Sequence, residues 1–252
     1  MNYLLRLINF FLGFFSFKLF RIYKAASPNF DESIKLLIKK KKPVIFDVGA
    51  NIGQSIDRFK RLFPDAKIHS FEPQKKIFNL LKEKYGKDKN VVLNNFALGK
   101  KKEIKKLYIG AKSGTSSFSR FKPNTHWIKQ RSDDLGIRTK DYLKDIEKVN
   151  IEKLDSYVKK KRILNIDLLK LDVETHEQEI LYGFKKNLNK VNLIECEVHL
   201  GNNYSRYLKF YDIEKILNPI RFRLVGLFNV KENNIYKTSM LAVICLYKNL
   251  KK

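Results

Sequence analysis

From residue 43 onward, short apolar runs alternate with segments of helical spacing, and few architectures tolerate that alternation. The run Pro43 to Val48 stops at Gly49 and reads as a buried strand. Ile52 to Phe63 has helical spacing and halts before Pro64. Ala66 to Phe71 is a second strand, Gln74 to Tyr85 a helix closed by Gly86, and Asn90 to Phe96 a third strand. Further on, Asp167 to Val173 and Val191 to Glu197 read as strands, and Glu177 to Phe184 and Tyr207 to Leu217 as helices. Phe222 to Phe228 and Ser239 to Tyr247 read as a closing antiparallel pair. Strands joined by helices of this length make a doubly wound, mostly parallel α/β sheet, here of seven strands with a late reversed one. Residues 100–153 break the pattern, being rich in Ser, Gly and Thr with short β-like pieces. They read as a β-rich insertion within a domain spanning residues 25–252, placed where a segment could cover a substrate.

Residues 1–24 have a different character. Thirteen large apolar side chains between Leu4 and Ile22 face a narrow stripe of Asn2, Arg6, Asn9, Gly13 and Ser16. Arg6, Asn9 and Lys18 interrupt the run, which falls short of the roughly 20 apolar residues a span needs. No small-residue cleavage site of A-x-A type follows it. An amphipathic helix lying in the plane of a cytoplasmic membrane face is one expectation, a helix packed on its own domain or on a partner subunit is another, and a signal peptide is the third. The chain carries 52 Lys and Arg against 26 Asp and Glu, a net charge of +26. The excess is mostly Lys spread along the whole sequence, with little of the Arg suited to bidentate phosphate contacts. That distribution favours a solvated basic surface over a nucleic-acid groove. Cys196 and Cys245 sit in apolar runs and form neither a disulfide framework nor a zinc pattern, so buried, inert thiols in a reducing compartment are expected.

The chemistry begins at Asp47-Val48-Gly49-Ala50-Asn51-Ile52-Gly53. A buried strand runs into a glycine loop and then directly into a helix, so backbone N–H groups and the helix start face any ligand held there. Asn51 stands where a dinucleotide-binding loop wants glycine, which disfavours a pyrophosphate. The second strand ends in Ser70-Phe71-Glu72-Pro73, about 20 positions further on, where an acidic side chain accepts hydrogen bonds from ribose hydroxyls. Lys170, Asp172 and Glu174 share strand parity, as do Glu195, Glu197 and His199 on the next strand. Both sets reach the carboxyl edge of the sheet. Asp172, Glu174, Glu197 and His199 are therefore the candidate catalytic groups, able to act as acid or base or to hold a divalent ion. Glu195 and His176 read as structural.

These motifs, taken in order, resemble the FkbM family of methyltransferases. The likeness rests on Asp47 to Gly53, Phe71-Glu72-Pro73, Asn95-Phe96-Ala97-Leu98-Gly99, Gly114-Thr115-Ser116-Ser117 and Asp167 to Glu174, followed by Glu177, Leu181 and Gly183. It implies S-adenosylmethionine as cofactor, held by Asp47, Gly49, Ala50, Asn51, Gly53, Glu72, Pro73, Asn95, Ala97 and Asp172. It also implies O-methylation of a hydroxyl on a sugar, glycan or related small molecule. The family usually carries Gly after Asp-Val-Glu, whereas this chain has Thr175, so the conformation past the strand is an open expectation. Two other readings compete: a nucleic-acid methyltransferase and a non-catalytic, membrane-associated module. Base N-methylation commonly uses an Asn/Asp-Pro-Pro-aromatic turn, and here that place reads Asp172-Val173-Glu174-Thr175. The intact glycine and ribose-binding motifs weigh against the non-catalytic reading.

Overall fold

The structure is a computed structural model, and it describes residues 29–123, 125–199, 209–232 and 240–251. The amphipathic helix expected over residues 1–24 lies outside the described residues. Helix α1 (Phe30–Leu37) belongs to a unit separate from the one that begins at Ile38. Its first turn is closed reciprocally, Glu32 N–H donating to Asn29 Oδ1 at 2.9 Å and Asn29 N–H to Glu32 Oε2 at 3.0 Å.

The second unit is built on β1 (Val44–Val48), β2 (Lys67–Phe71), β3 (Val91–Asn94), β4 (Ala97–Leu98), β5 (Glu103–Gly110), β6 (Leu143–Glu152), β7 (Ile166–Leu171), β8 (Val191–His199), β9 (Phe222–Glu232) and β10 (Met240–Asn249). Its helices are α2 (Gln54–Leu62), α3 (Lys75–Tyr85), α4 (His126–Asp134), α5 (Leu154–Lys160), α6 (Glu177–Gly183) and α7 (Phe210–Leu217). Seven strands form the main sheet in the order β3-β2-β1-β7-β8-β10-β9, with β10 antiparallel to both neighbours. This is the doubly wound Rossmann-like sheet that the alternation predicts, including the late reversed strand. The order reverses between β1 and β7, and in open α/β sheets ligands bind at the carboxyl ends beside such a point.

Alternation along each strand divides the side chains. Phe46, Phe71, Leu169 and Ile194 belong to one continuous core with Leu154 and Tyr157 of α5, Ile180 of α6 and Ile213 of α7. The residues of opposite parity include the paired Asp47 and Lys170, and then Glu195 next to Lys170.

Two boundaries differ from the sequence reading, each for a local reason. Helix α2 starts at Gln54 rather than Ile52, because Gly49, Asn51 and Gly53 have φ of 83°, 46° and 94° and no helix can include them. The third strand ends at Asn94 because the Asn95 amide turns back to donate to the carbonyls of Glu72 (3.0 Å) and Pro73 (3.1 Å). The chain then leaves the main sheet, and β4 enters a second, three-stranded sheet in the order β4-β6-β5. Residues 100–153 hold the antiparallel pair β5–β6, paired from Glu103–Ile151 to Gly110–Leu143, with α4 between them.

One buried imidazole makes the stability of this core depend on pH. His69 Nδ1 and Tyr157 Oη lie 2.8 Å apart, with the imidazole against the Phe46 ring at 4.9 Å. Burial, with help from Lys67 and Lys161, holds the imidazole down at about 4 against its ordinary 6.5. As pH falls below 6.5 the unfolded chain takes up a proton that the folded protein refuses until about 4, so stability is lost across that window. The loss from this group is about 3 kcal/mol, at roughly 1.4 kcal/mol per pH unit. Urea unfolding at pH 7 and pH 4.5 should show a clearly shallower fall for His69→Gln than for wild type. Equal falls would contradict it.

Candidate active site

The loop after β1 is shaped by its neighbours. Gly49 and Ala50 N–H groups both donate to Phe71 O, at 3.1 and 3.2 Å, and Asp172 N–H donates to Val48 O at 3.2 Å. The ends of β1, β2 and β7 are thus stitched together. A Cβ on Gly49 would lie 1.9 Å from Asp172 O, so no side chain fits there even apart from its φ of 83°. A second backbone contact of this kind joins Gly183 to Gly99, where a Cβ on Gly183 would meet Gly99 O at 1.9 Å.

Beneath the loop runs a row of buried charges. Lys170 is 4% exposed. Its ammonium donates to Gly49 O at 3.2 Å and lies 3.2 Å from Asp47 Oδ1 and 3.3 Å from Asp172 Oδ2. Burial alone would depress the ammonium's pKa, but the carboxylates of Asp172, Asp47 and Glu195 overcome that and raise it. Lys170 therefore stays charged. On the next strand Glu195 receives both arms of Arg58 from α2, at 3.0 and 2.5 Å.

Above the loop lies a cavity of about 300 Å³, enclosed by the carboxyl ends of β1, β2 and β7 and by residues 107–118. Glu72 lines it while only 3% exposed. Its carboxylate is aimed by backbone donors, Asn51 N–H to Oε2 at 3.0 Å and Gln74 N–H to Oε1 at 2.9 Å. Burial raises its pKa to about 7 despite those bonds, and Asp47 adds to the rise. On the β7 side, Asp172, Glu174 and Glu197 have carboxylate oxygens within 4.8 Å of one another. Asp172 is held above the usual carboxylate range by burial; Lys170 opposes this, and Glu197 and Glu174 reinforce it. It is still 41% open, towards the cavity it lines. Such a group takes up a proton near neutral pH more readily than a surface carboxylate does.

Of the residues singled out in the sequence, Gly49, Ala50, Asn51, Glu72, Pro73, Ala97, Asp172 and Glu174 all line this cavity. Three serve it from outside: Asp47 pairs with Lys170 below the loop, Gly53 accepts the Tyr85 hydroxyl at 3.0 Å, and exposed Asn95 clamps the Glu72-Pro73 backbone. Glu197 joins the carboxylate cluster. His199 ends β8 with its backbone paired to Ala242, and its side chain lies outside the described residues.

The sequence reading missed four contributors. Lys170 is a buried cation, which nothing in its sequence context signals. Gln74 meets the loop of residues 113–116 through Ser113 O and Ser116 Oγ. Phe118 forms cavity wall, and no periodicity in the insertion signalled it. His176, set aside as structural, also lines the cavity, its ring 4.5 Å from that of Phe118.

A strand order reversing at β1, a glycine loop after β1 and a buried acid after β2 define the Rossmann-like class of α/β folds. Within that class the chain belongs to the methyltransferase FkbM domain family, whose profile matches residues 47–224. It is similar to the 2-O-methyltransferase NoeI of Sinorhizobium fredii (strain NBRC 101917 / NGR234), at 26% identity over 202 residues, which is 76% of this chain and 77% of that protein. Its fold is similar to the crystal structure of Methyltransferase FkbM from Methylobacillus flagellatus KT, with a TM-score of 0.51 at 14% identity over 82% of this chain. This chain spans 44% of that longer one.

Proposed function

We propose that this methyltransferase moves the methyl group of S-adenosylmethionine to a hydroxyl oxygen of a sugar or glycan. The observation that carries the reading is Glu72: a buried carboxylate on the cavity wall, fixed by two backbone N–H donors and with lone pairs left to accept from ribose hydroxyls. The close approach of main chain at Gly49 and Ala50 suits a nucleoside lying against the loop. The similarity to a protein named a 2-O-methyltransferase supports oxygen as the acceptor atom. When bound, S-adenosylmethionine supplies an electrophilic methyl on a sulfonium. The protein's share is to align the acceptor with that methyl and to take the hydroxyl proton. Asp172, opening onto the cavity between Lys170 and the carboxylates of Glu174 and Glu197, suits the base role. A divalent ion held by the same three carboxylates is a second reading, supported by their oxygens lying within 4.8 Å of one another.

Residues 1–24 extend the proposal to location, since an in-plane apolar face flanked by Lys18, Arg21 and Lys24 suits the inner face of a membrane and a lipid-linked acceptor. No helix among the described residues is long and apolar enough to cross a membrane.

Three outcomes are expected. Glu72 must be charged to hold the ribose, so affinity for S-adenosylhomocysteine should drop as pH falls below about 7, approaching tenfold per unit. Glu72→Gln should bind more weakly at pH 8, by about 1.5–3 kcal/mol, and lose that slope in calorimetry. An unchanged slope would rule out Glu72 as the ribose acceptor. Next, Asp172→Asn should keep cofactor affinity and lose about 10²-fold or more in transfer of labelled methyl to a glycoside. Full activity would move the base elsewhere, and activity surviving a chelator would remove the metal reading. Finally, the full chain should float with anionic vesicles and a chain starting at Ala25 should not. If both float, the basic surface is sufficient, and if neither does, the segment packs on protein.

A further inference from the structure

The turn after β7 is strained. Glu174 and Thr175 have φ of 52° and 80°, consecutive residues in the left-handed region, and a β-branched side chain is especially ill suited to it. Neither is a residue type that eases such a conformation. The restraint comes from the insertion. Ser117 Oγ donates to Glu174 O at 2.6 Å, and Thr175 Oγ1 donates to Ser119 Oγ at 3.2 Å. Ser117 is 1% exposed, and its own backbone is fixed by a reciprocal pair with Tyr108, at 2.9 and 3.0 Å. Its hydroxyl also accepts from Ser119 N–H at 3.0 Å. On the other side of the turn, Val173 N–H donates to Glu177 Oε1 at 3.0 Å. Between the two serines stands Phe118, a cavity wall whose ring rests on His176, the residue just past the turn.

We propose that Ser117 is a positioning residue for methyl transfer. Its hydroxyl holds the turn of residues 174–175 in the left-handed form and thereby keeps the Glu174 carboxylate beside Asp172 and Glu197. The inference rests on the proposed role of those carboxylates. It gives the insertion a task beyond covering the site: the stretch that walls the cavity also sets the geometry of its acidic cluster.

The test is amide hydrogen exchange on the protein without ligands, followed by transfer of labelled methyl from S-adenosylmethionine to a methyl glycoside. Ser117→Ala should speed exchange across residues 172–176 by about tenfold. It should lower kcat by about 30-fold or more and leave KM for the cofactor within about twofold. Adding Thr175→Gly should bring both back to within about threefold of wild type, because glycine adopts this φ without strain. Adding Thr175→Ala should not, since the Cβ remains. If Ser117→Ala fails to fold, the variant with Thr175→Gly added must fold. Unchanged exchange in Ser117→Ala overturns the proposal, as does equal rescue by Gly and Ala or failure of the glycine variant to fold. Full transfer by Glu174→Gln would instead overturn the role given to that carboxylate, while exchange, which needs neither cofactor nor acceptor, still decides whether Ser117 holds the turn.

Discussion

Lys170 places an ammonium, with almost no access to water, at the point where the carboxyl ends of β1 and β7 meet, and three of its neighbours depend on that charge. Asp47 is fully buried, and a carboxylate there is tolerable because a cation stands 3.2 Å away. The Gly49 carbonyl, turned inward by a left-handed φ, accepts from the same ammonium. Asp172 is the third partner, and through it the structural row reaches the cavity. On the far side the row ends in Glu195 and the fork of Arg58, so opposite charges alternate across neighbouring strands. Buried ion pairs of this kind are weak evidence for stability, yet removing one partner leaves an uncompensated charge and is severe. Its clearer consequence is geometric: a single side chain fixes the strand tip, the glycine loop and the carboxylate that faces the cavity.

Around that centre the site is assembled from pieces far apart in sequence. Glu72 arrives on β2 and is aimed by N–H groups of Asn51 and Gln74, with Asn95 holding the backbone that carries it. Glu174 arrives on a turn whose conformation its own residues disfavour, and serines of the insertion hold it. Strain of this sort persists only where surrounding structure enforces it.

Much of this was legible in the sequence, for reasons that differ by residue. The alternation of apolar runs and helical spacing carries a mostly parallel, doubly wound sheet of seven strands with a late reversed one, while the order in which those strands lie is set by tertiary pairing. Gly49 and Glu72 were readable because each sits at a strand tip at a spacing tied to a recurrent ligand geometry. Family resemblance added Pro73, Ala97 and the serine run, which spacing alone does not reach. Strand parity puts Lys170 beside Asp172 in the sequence, but a lysine inside a strand of a very basic chain carries no mark of burial; only the register opposite Asp47 supplies it. Phe118 and His176 meet through tertiary packing between the insertion and the turn, which no local period encodes. The departure at Thr175 was visible as a substitution, but the compensation by Ser117 and Ser119, more than 50 positions earlier, needed the fold.

In the proposed reading, the cavity at the carboxyl edge receives the nucleoside of the methyl donor, with Glu72 on its ribose. The most direct measurement is a crystal structure of the protein with S-adenosylhomocysteine bound. Both ribose hydroxyls should lie at about 3 Å from the Glu72 carboxylate oxygens, with the nucleoside against Gly49 and Ala50. A nucleoside bound elsewhere, or a ribose out of reach of Glu72, would contradict it.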